Sequence, residues 1–228
     1  MPSALSPFKG LVRRLRSYAP GNRDRFLRQV SGVVHVGANL GQEAALYDAF
    51  GLWVVWIEPI PHIFKRLTAN IAPYPRQLAI EALVTDVADK TYTFNVANND
   101  GQSSSILDLG LHTDIWPTVR YEQSLQLRST TLPNLLASHH VELGRDSALV
   151  MDTQGSELLV LRGTESILRQ FKFVKTEVAD FESYTGCCQL ADLNAFLASH
   201  GFAEYSRRAF ATHPQGGRYY DIVYRRQD

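Results

Sequence analysis

Residues 33–43 read VVHVGANLGQE, and residues 54–59 read VVWIEP. The first stretch is an apolar run that breaks into a turn bounded by Gly37 and Gly41. The second is another apolar run, which ends on Glu58. In an open α/β sheet this order places a turn and a helix N-terminus beside an acidic side chain, at the carboxyl ends of two strands. The pattern predicts a site for a nucleoside-bearing ligand, with Glu58 accepting hydrogen bonds from the ribose hydroxyls.

Composition limits the class of protein. The chain has 228 residues, is 45% hydrophobic and carries a formal net charge of zero, which favours neither nucleic acid nor an anionic membrane as partner. The two cysteines, Cys187 and Cys188, are adjacent, so we expect neither a disulfide scaffold nor a CxxC zinc site. No segment looks like a signal peptide or a transmembrane helix. We therefore expect a cytoplasmic protein.

The first 30 residues differ from the rest and are predicted to form a basic helical extension before a domain at 31–228. Their apolar residues suggest two short amphipathic helices separated by Pro20-Gly21. The segment is either a cap packed on the domain or a contact surface for an anionic substrate or membrane. A single acidic residue, Asp24, stands against seven basic ones: Lys9, Arg13, Arg14, Arg16, Arg23, Arg25 and Arg28.

From residue 33 onward, predicted strands and helices alternate. The predicted strands are 33–36, 52–57, 79–85, 92–96, 127–131, 148–152, 173–178, 203–210 and 219–225. The predicted helices are 42–50, 61–70, 132–139, 156–168 and 190–200. A βαβ series that ends in a hairpin indicates an α/β fold whose sheet is mostly parallel with an antiparallel edge.

The glycine spacing limits the choice of cofactor. The turn is Gly37-x-x-x-Gly41 rather than Gly-x-Gly-x-x-Gly, which counts against NAD and FAD, and no Walker sequence is present. A cofactor with a ribose and a small charged tail but no pyrophosphate remains. S-adenosylmethionine fits that description.

Three ordered motifs carry a family resemblance: residues 35–41 with Glu58-Pro59, residues 151–158 (MDTQGSEL) and residues 176–178 (TEV). Over about residues 33–225 the chain resembles the FkbM family of S-adenosylmethionine-dependent methyltransferases. The resemblance implies a class I, Rossmann-like, seven-stranded sheet with an antiparallel final strand, and O-methylation of a sugar or natural-product hydroxyl. The chain has His35 where the family commonly has Asp, and Gln154 where it commonly has Glu.

Five residues near the turn are candidate cofactor ligands. Gly37 and Gly41 are predicted to form the turn under the methionine moiety, and Asn39 and Gln42 to bond its carboxylate or ammonium group. His35 lies in an apolar strand, where a buried neutral imidazole and a ligand contact are both open.

Three further positions are candidates for the pocket wall. Asp86 follows a predicted strand and either bonds the adenine amino group or forms a turn. Ser104 belongs to the polar loop 98–105, which either lines the pocket or is solvated. Trp116 is either a wall for a sugar acceptor or a packing residue.

Methyl transfer to a hydroxyl requires removal of the hydroxyl proton. Asp152 follows a buried strand and is our candidate base, with helix N-capping as the alternative. Gln154 and Glu157 could orient it. Glu177 ends the next predicted strand, and His213 lies in the final hairpin loop as a possible second base. Two carboxylates and a histidine could also hold Mg²⁺.

The sequence therefore predicts an S-adenosylmethionine-dependent O-methyltransferase acting on a small-molecule or glycan acceptor, without a nucleic-acid partner or a membrane span. A binding protein of the same fold with impaired catalysis is one alternative, and an NAD-dependent oxidoreductase is another. The sequence carries no signal for the oligomeric state.

Overall fold

The computed structural model describes residues 22–144 and 146–227, in which strands and helices alternate. The strands are β1 Gly32–Val36, β2 Trp53–Glu58, β3 Gln77–Glu81, β4 Leu83–Val84, β5 Thr91–Ala97, β6 Tyr121–Thr130, β7 Ser147–Met151, β8 Phe171–Ala179, β9 Phe202–Thr212 and β10 Arg218–Arg226. The α-helices are α1 Ala44–Ala49, α2 Pro61–Ile71, α3 His112–Ile115, α4 Leu132–Ser138, α5 Glu157–Thr164 and α6 Leu190–Ser199. The 3₁₀ helices are Asn22–Gln29 and Glu165–Gln170.

Seven strands of the described chain form one sheet in the order β3-β2-β1-β7-β8-β10-β9. The pairs from β3 to β8 are parallel, and β10 runs antiparallel to both β8 and β9. The predicted mostly parallel sheet with a C-terminal hairpin is confirmed. As a result, the carboxyl ends of β1, β2, β7 and β8 and the start of β10 lie along one edge of the sheet.

Apolar layers cover both faces of this sheet. Every residue of β1 and of β7 is buried as a result, whichever face its side chain points to. One layer includes Leu135 of α4 and Leu193 of α6. The other includes Tyr47 of α1 and Leu67 of α2. The strands are therefore held between two packed layers, which fixes the positions of their ends.

The predicted strand 79–85 is wrong as one element. It divides at Ala82 into β3, which pairs with β2, and β4, which pairs with β6 in a second sheet of order β4-β6-β5. The segment 108–126, for which the sequence predicts no element, contains α3 and most of β6, and the predicted strand 127–131 is the end of that longer strand. The second sheet lies between β4 and α4 in the chain and supplies several residues to the site.

The predicted helix 156–168 is α5 followed by a 3₁₀ turn, since the α-helical part ends at Thr164. The first predicted helix of the extension lies outside the described residues. The second corresponds to the 3₁₀ helix Asn22–Gln29, whose Phe26 is buried with its ring 5.7 Å from the Phe173 ring. Over the described chain, we find no helix with the length and apolar character needed to span a bilayer.

Candidate functional site

A cavity of about 470 Å³ lies at the carboxyl edge of the main sheet. One end is formed by the glycine turn after β1 and by the end of β2, and the other by α3, β9 and β10. The residues that line it include His35, Gly37, Asn39, Gln42, Glu58, Ser103, Ser104, His112, Trp116, Asp152, Gln154, Glu177, Phe210 and Tyr219.

The glycine turn is fixed by its contact with the loop after β7. Gly37 has φ +79°, and a Cβ atom there would lie 1.9 Å from the Asp152 carbonyl oxygen. Gly41 also has a positive φ, but it packs against Leu67 and is not among the cavity-lining residues. Only glycine therefore fits at position 37. Gly41 ends the turn on the side that faces Leu67, away from the cavity.

Glu58 is the most enclosed carboxylate facing the cavity, at 3% exposure. Its Oε2 accepts the Asn39 backbone N–H at 2.8 Å, and its Oε1 accepts the Ile60 N–H at 2.9 Å. Burial raises the pKa of Glu58 to about 7, and these two N–H groups act in the opposite direction. Each carboxylate oxygen retains acceptor capacity, so the residue fits a partner with two hydroxyl donors, such as a ribose.

Asn39 and Gln42 interact with each other beside this carboxylate. The Gln42 amide donates to Asn39 Oδ1 at 3.0 Å, and the Asn39 amide donates to the Asp100 carbonyl at 2.8 Å. Both residues line the cavity, and their predicted contact with a charged cofactor tail stays a prediction.

Asp152 and Glu177 lie on adjacent strands near the middle of the cavity. Asp152 directly follows β7, and its backbone N–H donates to the Val36 carbonyl at 3.0 Å. Burial raises the pKa of Asp152 to about 7. Burial and then the Asp152 charge raise the pKa of Glu177 to about 9, and Asp221, opposite it on β10, acts in the same direction. Both carboxyls of the pair therefore keep their protons to a higher pH than an exposed carboxyl does, Glu177 more strongly than Asp152.

The turn after Asp152 shows that this residue does not cap α5. The N-cap is Ser156, and Glu157 accepts the Thr153 and Gly155 backbone N–H groups at 2.9 and 3.0 Å. Gln154 donates its amide N–H to Asp152 Oδ1. Of the two residues expected to orient Asp152, Gln154 contacts its carboxylate and Glu157 holds the turn.

His35 lines the cavity but is a buried, neutral side chain. Its Nδ1 lies 3.3 Å from the Tyr47 hydroxyl, and its ring stacks on Trp56 at 4.9 Å. Burial and the Lys175 charge lower the pKa of His35 to about 3. The sequence left a buried imidazole and a ligand contact open, and the geometry is compatible with both.

Ser104 lines the cavity, and its hydroxyl accepts the Ala97 backbone N–H at 2.9 Å. Asp86 and His213 are not among the lining residues. Asp86 lies in the turn after β4, close to the helical Gly163. His213 is buried, with Nε2 3.0 Å from Asp114 Oδ2.

A polar and aromatic cluster lies at the far end of the cavity, and its members His112, Phe210 and Tyr219 are not predicted from the sequence. His112 Nδ1 lies 2.8 Å from the Tyr219 hydroxyl, and its Nε2 lies 3.1 Å from Ser103 Oγ. Burial lowers the pKa of His112 to about 4, so the ring is neutral. Trp116, whose ring is 4.5 Å from the His112 ring, and Phe210, 5.7 Å from Tyr219, complete the wall. Trp116 is a candidate wall residue from the sequence, whereas no periodic pattern marks His112.

The part of the chain that the structure describes contains no set of side chains arranged as a metal site. We find there no group of three or more His, Cys, Asp or Glu side chains arranged to hold an ion.

Comparison with known proteins gives both a family and a fold. A family model described as the methyltransferase FkbM domain matches residues 35–203. The METTL16 methyltransferase domain is 11% identical with a TM-score of 0.53, and the match covers 90% of this chain and 65% of that one. Sp1610 of Streptococcus pneumoniae, a candidate tRNA methyltransferase solved with S-adenosyl-L-methionine, is 11% identical with a TM-score of 0.51, covering 95% and 74%. No curated protein sequence matches.

Proposed function

This chain belongs to the FkbM methyltransferase family, and from that premise we propose that it transfers the methyl group of S-adenosylmethionine to a hydroxyl of a sugar or secondary metabolite. One observation carries the proposal. A buried acceptor carboxylate, Glu58, and a second carboxylate that ionises near neutrality, Asp152, line the same cavity. Their strands are separated by one other strand, so the two ends are roughly 10 Å apart.

The glycine-turn end of the cavity suits the cofactor. When bound, S-adenosylmethionine supplies an electrophilic methyl group on a sulfonium. Glu58 would accept the ribose hydroxyls, and Asn39 and Gln42 would bond the amino-acid tail. The cavity volume of about 470 Å³ is in the range of small-molecule sites.

Asp152 is the proposed general base. A base with a pKa near the working pH combines a useful ionised fraction with a useful proton affinity. Glu177, whose pKa is raised to about 9, stays protonated at neutral pH and can donate a hydrogen bond to the acceptor oxygen.

The charge of the cavity favours an uncharged acceptor over a polyanion. None of the described residues that line it is Lys or Arg, whereas Glu43, Glu58, Asp152 and Glu177 are acidic. A nucleic acid binds mainly through contacts between cationic side chains and its phosphates. The far end presents the neutral His112 and the rings of Trp116 and Phe210, which suits a hydroxylated, partly apolar molecule.

Calorimetry with S-adenosylmethionine, S-adenosylhomocysteine and NAD tests the cofactor assignment. We expect the first two to bind with similar affinities and NAD not to bind, because the turn lacks the glycine that admits a pyrophosphate. Binding of NAD alone would refute the assignment. Transfer of labelled methyl groups to a panel of neutral hydroxylated metabolites, with tRNA as the polyanionic comparison, tests the acceptor class.

A further inference from the structure

Gln154 is held in a strained conformation by hydrogen bonds to two distant parts of the chain and to its own turn. Its φ is +53°, a region that residues other than glycine seldom adopt. Its carbonyl oxygen accepts the Ser105 hydroxyl at 2.8 Å, its Oε1 accepts the Tyr184 hydroxyl at 2.5 Å, and its Nε2 donates to Asp152 Oδ1 at 2.5 Å. Strained residues persist where the surroundings over-determine them, and they cluster at active sites.

The chemistry of these partners gives the hydrogen-bond chain one direction. An ionised Asp152 can only accept, so the amide nitrogen of Gln154 has to face it. The amide oxygen then faces Tyr184 and needs a donor. The Tyr184 hydroxyl is such a donor, and it lies closer to Gln154 Oε1 than to the Ser103 carbonyl oxygen at 3.4 Å. By donating to Oε1 of Gln154, the Tyr184 hydroxyl therefore orients the amide so that its Nε2 faces Asp152.

Asp152 needs this donor because most of its charged neighbours are acidic. Lys175 on β8 is the cation whose charge opposes theirs. The acidic and phenolic groups around Asp152 are Glu43 at the start of α1, Glu58 at the end of β2, Glu157 at the start of α5, Glu177 on β8 with Asp221 beyond it on β10, and Tyr184 itself. In such surroundings a carboxylate loses its proton with difficulty unless a hydrogen bond favours the charged form.

We propose that Tyr184 and Gln154 are positioning residues for Asp152: the tyrosine hydroxyl fixes the amide, and the amide holds the carboxylate aimed and ionised to accept the proton. The role of Asp152 as base rests on the proposed function. The proton-binding effect on Asp152 does not, and it can be measured in the free protein.

The experiment is a ¹³C NMR titration of the aspartate carboxyl groups, with the Asp152 signal assigned from Asp152→Asn. In Tyr184→Phe we expect the Asp152 midpoint to rise by about half to one pH unit, the value of one net hydrogen bond. Gln154→Glu replaces the donor by a carboxylate, so the midpoint should also rise. If Tyr184→Phe does not fold, Gln154→Leu, which removes the amide donor without adding a charge, decides instead, and an unchanged Asp152 midpoint in it overturns the inference.

Tyr224→Phe is the matched control. Tyr224 also donates its hydroxyl to an amide oxygen, Asn194 Oδ1 at 2.7 Å, but neither residue lines the cavity. An unchanged or lowered Asp152 midpoint in Tyr184→Phe, or an equal rise in Tyr224→Phe, overturns the inference. Failure of the parent protein to bind S-adenosylhomocysteine would instead count against the proposed function.

Discussion

Glu58 accepts a hydrogen bond from the backbone N–H of Asn39, which is 19 positions earlier in the sequence. Glu58 is the last residue of β2, and its side chain therefore stabilises the turn that follows β1. This one contact joins the two features from which a nucleoside site was predicted. It also means that Glu58 shapes the turn in addition to facing the cavity.

Replacing Glu58 by Ala should lower the affinity for S-adenosylmethionine by about ten- to a hundredfold, because the ribose loses its hydrogen-bond acceptor and the turn loses the hydrogen bond from Asn39 N–H. Calorimetry measures the change. Glu81→Ala is the control, since Glu81 pairs with Glu58 in the sheet register but is exposed. Equal losses in both variants would remove Glu58 from the binding site.

Asp152→Asn should lower turnover by roughly 10²–10⁴-fold, the usual contribution of a general base, while S-adenosylmethionine still binds. Labelled methyl transfer measures this loss. Asp146→Asn, just before the opposite end of the same strand, should behave as the parent does. Unchanged turnover in the Asp152 variant would exclude it as the base.

Trp116→Ala should raise the KM for the acceptor about tenfold with little change in affinity for the cofactor, because the ring walls the far end of the cavity. Phe210→Ala should act in the same direction. Tyr205→Ala is the control, since Tyr205 lies on the same strand at 40% exposure, compared with 37% for Phe210, but outside the cavity. A raised KM in the control alone would contradict this placement.

The protein should lose stability as the pH rises above 6.5. A carboxyl whose pKa is higher in the folded chain keeps its proton there after the unfolded chain has lost it, so unfolding releases a proton and stability falls with pH. Glu58 and Asp152 act in this way up to about pH 7, and Glu177 up to about pH 9. The lowered pKa values of His35 and His112 act oppositely, but only below 6.5.

Thermal unfolding between pH 6.5 and 8.5 checks this expectation. The midpoint temperature should fall across the interval, and Glu177→Gln should flatten the fall because it removes the carboxyl that titrates last. Glu81→Gln, at an exposed position, should leave the slope as it is. A midpoint that rises over this range would contradict the assignment of buried protonated acids.

Gly37→Ala should destabilise the protein by about 2–5 kcal/mol, because it combines a left-handed backbone with a collision against the Asp152 carbonyl. Gly186→Ala separates the two effects, since Gly186 has φ +72° but nothing within 4 Å of an added Cβ. That variant should cost about 1–2 kcal/mol. Urea denaturation measures both, and similar losses would show that the collision is relieved at little cost.

Much of the main sheet could be predicted from the sequence because its buried strands are short apolar runs bounded by turn residues. The division of 79–85 could not, because the run contains no glycine or proline at the break. The pairing of β4 with β6 also depends on residues about 45 positions away. The hydrophobic pattern of a short segment indicates that it forms a strand more readily than it indicates which other strand it pairs with.

The same limit applies to the site. Glu58 and Asp152 could be placed because each directly ends or follows a buried strand, where the edge of a parallel sheet has to be. The contact between His112 and Tyr219 spans 107 positions and joins a short helix to an antiparallel strand. No spacing within either segment signals that contact.

The pairing of β4 with β6 brings Val84 beside Thr130, so the intervening 45 residues leave and rejoin the domain at almost one point. That segment carries Ser103, His112 and Trp116, whereas Glu58 and Asp152 lie outside it. In the proposed function, this one segment therefore supplies part of the acceptor end of the cavity, and Phe210 and Tyr219 of the final hairpin supply the rest. We therefore expect an exchange of residues 85–129 between relatives to alter the acceptor preference more than the affinity for S-adenosylmethionine.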